Sequence, residues 1–68
     1  MTEVESNKKA ITCLLARREY LESKIAERQA SVGRVSPSIV NEVTAIDYAV
    51  TALNFVIQTI EYEAAHRA

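Results

Sequence analysis

Glycine, proline, cysteine and histidine each occur once in this 68-residue chain, and tryptophan does not occur at all. Each scarcity excludes something. One cysteine cannot form an intramolecular disulfide. One Cys and one His fall short of the four ligands that a structural zinc site uses. One glycine leaves no loop able to cradle a phosphate. Net charge is also small: 8 Lys+Arg stand against 9 Asp+Glu, a net of −1. Indiscriminate attraction to nucleic acid or to an anionic membrane is therefore not favoured. No unbroken apolar run approaches the roughly 18 residues of a membrane span. Met1 to Lys9 is too polar for a secretory signal. The expectation is a chain with no membrane partner. A reduced, cytoplasmic setting suits its lone thiol.

Size sets the next limit. A chain this short is one domain at most. If compact it would expose roughly 4,300 Å² and bury only about 60% of its unfolded surface. Such a core is marginal, and small domains compensate with disulfides, metals or oligomerisation. The first two are excluded by composition, so oligomerisation is the expected route.

What is present is helical pattern. Residues 1–7 read as a flexible polar tail, with Ser6 or Asn7 available to cap a helix. Residues 8–32 are rich in Ala, Leu, Glu, Arg and Lys, all good helix formers. Ile11, Leu14, Leu21, Ile25 and Val32 share one face, with Leu15 beside them. Gly33 suits the left-handed residue that ends a helix, and Ser36-Pro37 suits the start of another. The predicted turn, 33–36, is short enough to make the two helices antiparallel neighbours.

The second helix is predicted over residues 37–65. Ile39, Val43, Ile46, Val50, Leu53, Ile57 and Ile60 recur at alternating steps of 4 and 3, a heptad seam. A strip of Ala45, Ala49, Ala52 and Val56 lies beside it. Tyr48, Phe55 and Tyr62, spaced by seven, add an aromatic stripe. Asn41, Thr44, Asp47, Thr51, Asn54 and Gln58 occupy a narrower polar arc. One facing helix cannot cover so wide an apolar arc. The expected architecture is an all-α antiparallel two-helix hairpin that dimerises into a four-helix bundle. The seam and the alanine strip are its predicted core and dimer contacts.

Charge is distributed unevenly along the chain. Residues 1–35 carry seven basic and five acidic side chains, a net of +2, and residues 36–68 carry a net of −3. This asymmetry favours contact between the two halves.

Catalytic chemistry is sparse. Cys13 has no histidine near it in sequence, and His66 falls at the second helix's end, where it suits the helix dipole. The carboxylates form no metal-binding motif. No catalytic residue, metal site or cofactor is expected. The expected function is that of a small non-enzymatic helical oligomer, an adaptor, regulator or assembly factor. Its partners are a second copy of itself and, through Tyr48, Phe55 and Tyr62, another protein. The alternative is a nucleic-acid-associated regulator whose Lys8, Lys9, Arg17 and Arg18 touch phosphates.

Overall fold

The computed structural model describes residues 1–67. They form two α-helices, α1 over Glu3–Ser31 and α2 over Pro37–Ala65, packed side by side as a hairpin. The fold is an all-α helical hairpin.

α1 begins at Glu3, not at Lys8, so most of the expected tail is helix. The cause is Thr2. Its hydroxyl accepts a hydrogen bond from the Glu5 amide at 3.1 Å, and its carbonyl accepts from the Ser6 amide at 2.9 Å. Glu3 and Glu5 then place negative charge in the first turn, where the helix dipole is positive. Thr2-x-x-Glu5 is the spacing of a capping box. Ser6 and Asn7, the expected caps, lie inside the helix.

At the other end, Val32 is a cap residue and not part of the helix, and it is exposed. The amides of Val32 and Gly33 both donate to the Arg28 carbonyl, at 2.8 and 3.1 Å. Gly33 has φ +72°, the left-handed conformation that costs least without a Cβ. α2 starts with Pro37 in its first turn, where the missing amide is not needed. Ser36 holds the cap position, but its hydroxyl lies 2.9 Å from the Ser38 hydroxyl and makes no cap bond to the backbone.

The core is thin. Among the described residues only Leu21, Ile46 and Ile57 are buried. Ile11, Leu14 and Ile25 of α1 are half-buried, as are Ile39, Val43, Val50, Leu53 and Ile60 of α2. The extra residues at the start of α1 add Val4 and Asn7 to the half-buried face, in line with Ala10. The molecule is a rod of 59 × 18 × 14 Å with an exposed surface of 5285 Å². That surface exceeds the roughly 4,300 Å² of a compact chain of this size.

By length and composition α2 is apolar enough to cross a membrane, with an 18-residue window of mean hydropathy 1.3. No unbroken apolar run exists, because polar residues recur along one arc. Averaged over the helix, the wide apolar arc outweighs them.

Candidate functional site

The candidate site is the side of α2 that α1 leaves uncovered. Steps of 3 and 4 place the heptad seam towards α1, which accounts for its burial. Tyr48, Phe55 and Tyr62 fall on the opposite side of the helix. They are 81%, 69% and 64% exposed. The alanine strip lies between these two faces: Ala49 is half-buried, while Ala45, Ala52 and Val56 are exposed.

Tyr48, Ala52, Phe55 and Val56 line an open groove of about 700 Å³, edged by Thr44, Asp47 and Thr51. The polar atoms of that edge are already engaged. The Thr44 and Thr51 hydroxyls donate to the carbonyls of Val40 and Asp47, at 3.1 and 2.9 Å. The Asp47 carboxylate lies 2.8 Å from Arg18 Nε. The groove therefore presents mainly carbon to solvent, which suits an apolar partner surface better than a polar ligand. At the carboxyl end of α2, the Tyr62 and His66 rings stack with centroids 3.9 Å apart. His66 Nδ1 also lies 2.9 Å from the Tyr62 carbonyl oxygen.

The basic residues behave differently from one another. Arg17 grips Glu42 across the hairpin, with Nε donating at 2.7 Å and Nη2 at 3.4 Å. The hydrogen bond from Arg17 holds the Glu42 carboxyl below its ordinary range, and the same bond raises the Arg17 pKa. Arg17 and Lys24 both lie over the Tyr20 ring, at 5.1 and 5.5 Å. Arg18 Nε is shielded from water between Asp47 at 2.8 Å and Glu22 at 3.4 Å, in ion-pair contact without hydrogen-bond alignment. Lys24 pairs locally with Glu27 at 3.3 Å. Lys8 and Lys9 are exposed. The four cations of the candidate nucleic-acid face thus divide, with two committed to carboxylates of α2.

Sequence reasoning placed Asp47 in the polar arc of the second helix and gave Glu42 no role. Both anchor the cross-hairpin pairs. The signal available for them was the opposite net charge of the two halves. Cys13 is exposed as a free thiol on α1. Among the described residues no group of His, Cys, Asp and Glu side chains is arranged to hold a metal ion. No protein-family model matches this chain, and no curated protein or solved structure matches it either.

Proposed function

We propose that this chain is a non-enzymatic, cytoplasmic helical module that works by protein–protein contact. It self-associates through α2 as a homodimeric four-helix bundle and serves as an adaptor, regulator or assembly factor. One observation carries the reading: a helix of 29 residues buries only Ile46 and Ile57 and leaves Tyr48, Phe55 and Tyr62 open to water. Large exposed apolar patches on small proteins mark interaction surfaces. A three-residue core is also too small to offset about 1–2 kcal/mol of backbone ordering per residue without further burial.

A membrane-spanning role fits α2 less well. Asp47, Asn54 and Gln58 recur along its middle, and each is costly in hydrocarbon. Phosphate binding through α1 is weakened as a reading because Arg17 and Arg18 are paired with Glu42 and Asp47. A catalytic reading has little to build on: Cys13 lies on α1, and the ring of His66 is stacked on Tyr62.

Sedimentation equilibrium from low to high micromolar concentration tests the proposal. The expected species is a dimer of helical chains that dissociates and unfolds together on dilution. A cooperatively folded monomer at low micromolar concentration would sink it. Tyr48→Ala with Phe55→Ala then separates the two uses of the aromatic face. Loss of the dimer assigns the face to self-association, and loss of a captured protein with the dimer intact assigns it to docking.

A further inference from the structure

We infer that two copies of this chain meet α2 against α2 in antiparallel orientation, with the two-fold axis crossing at Ala52. The inference rests on the homodimer reading above and specifies its geometry.

The aromatic face supplies enough area. Large aromatic side chains bury about 150–250 Å² each, so six rings exposed to 64–81% offer roughly 600–1,100 Å² in two copies, with the exposed Ala45, Ala52 and Val56 beside them. That is about the total area at which a specific interface becomes stable.

Residue sizes around Ala52 point to the crossing. Tyr48 and Phe55 lie four residues before and three after Ala52, on one flank. Ala49 and Val56 lie three before and four after, on the other flank. A two-fold axis crossing the helix here reverses chain direction but keeps each flank on its own side. Tyr48 then comes beside the partner's Phe55, an aromatic pair. Ala49 comes beside the partner's Val56, where small side chains let the backbones approach.

Charge selects the antiparallel orientation. α2 has no acidic residue in its first turn and no basic residue in its last. Glu61 and Glu63 sit near the carboxyl end, where the helix dipole is already negative. Antiparallel pairing about Ala52 brings Glu63 opposite the partner's Asn41, towards the positive amino end of that helix. Parallel pairing would instead set the Glu63 carboxylates of both copies side by side at one negative helix end. A bilayer surface is a poorer occupant, since α2 offers it no Lys or Arg within the helix.

Cysteine cross-linking tests the geometry. In a Cys13→Ser background, Ala52→Cys and Ala45→Cys are oxidised separately, and sedimentation of the reduced proteins reports the oligomeric state. Antiparallel pairing about Ala52 brings the two thiols introduced by Ala52→Cys together and sets the residue 45 positions about 21 Å apart along the axis. The Ala52→Cys protein is expected to form covalent dimer about tenfold faster than Ala45→Cys, because a disulfide needs Cα atoms roughly 4.4–6.8 Å apart. Equal cross-linking at both sites would mean parallel helices. A dimer that cross-links at neither site would put the interface on another face. Either result overturns this inference and leaves the homodimer reading standing. A monomer would overturn both, and binding of that monomer to phosphatidylcholine vesicles would identify a lipid surface as the occupant.

Discussion

Leu21 is 3% exposed, and Ile46 and Ile57 are 5% exposed, so each holds an unusually large share of the hairpin's burial. Leu21→Ala should cost about 2–5 kcal/mol, the range for a buried large-to-small change. Val32→Ala, at a cap residue 70% exposed, should stay within about 0.5 kcal/mol of wild type. Urea titrations at one fixed protein concentration would compare the two. The Arg17–Glu42 pair makes a different kind of prediction. Glu42 has a lowered pKa in the fold, so its stabilising contribution is present above the ordinary carboxylate pKa of about 4.3 and is lost as pH falls through the lower folded value. The stability gap between wild type and Glu42→Gln should therefore be widest near neutral pH and close in acid. It should also shrink with added salt, because both side chains are half exposed. A gap that persists unchanged at pH 2 would show that Glu42 acts by packing.

Each helix has a boundary that depends on few atoms. Thr2→Ala removes the acceptor for the Glu5 amide and should cost about 1 kcal/mol locally, seen as faster amide exchange over the first turns of α1. Gly33→Ala has free space around the added Cβ, so its cost is conformational and should be about 1–2 kcal/mol. At this scale much was legible from sequence. Ser36-Pro37 and the unbroken 4–3 spacing of α2 marked the second helix, because both signals are local. The start of α1 was less legible: the polar residues before Lys8 resemble a tail, whereas the Thr2 hydroxyl takes up the Glu5 amide and lets the helix begin there. The cross-hairpin pairs were visible only as a charge imbalance. Which carboxylate Arg17 reaches depends on the register of two helices, and periodicity within one helix carries no register. For the same reason the apolar arc of α2 was readable, while the groove beside Tyr48 required knowing which side α1 covers.

As a whole the molecule is long for its mass. Its radius of gyration is 16.2 Å, against about 11 Å for a compact chain of this length. If dimerisation supplies the missing burial, folding and association are linked, and the melting temperature should rise with protein concentration. Melts followed by circular dichroism over a hundredfold concentration range would show this, and a concentration-independent midpoint would count against the dimer. The absence of bases from α2 has a practical consequence too. From Val35 to His66 there is no lysine or arginine, whereas α1 carries Lys8, Lys9, Arg17, Arg18, Lys24 and Arg28. Trypsin can shred α1 but must release the whole of α2 as one fragment, whether folded or not. Amine-directed chemistry, enzymatic acetylation included, is likewise confined to α1 and the chain's amino terminus. A lysine cross-linker would map the neighbours of α1 and stay blind to the face on which Tyr48 and Phe55 stand.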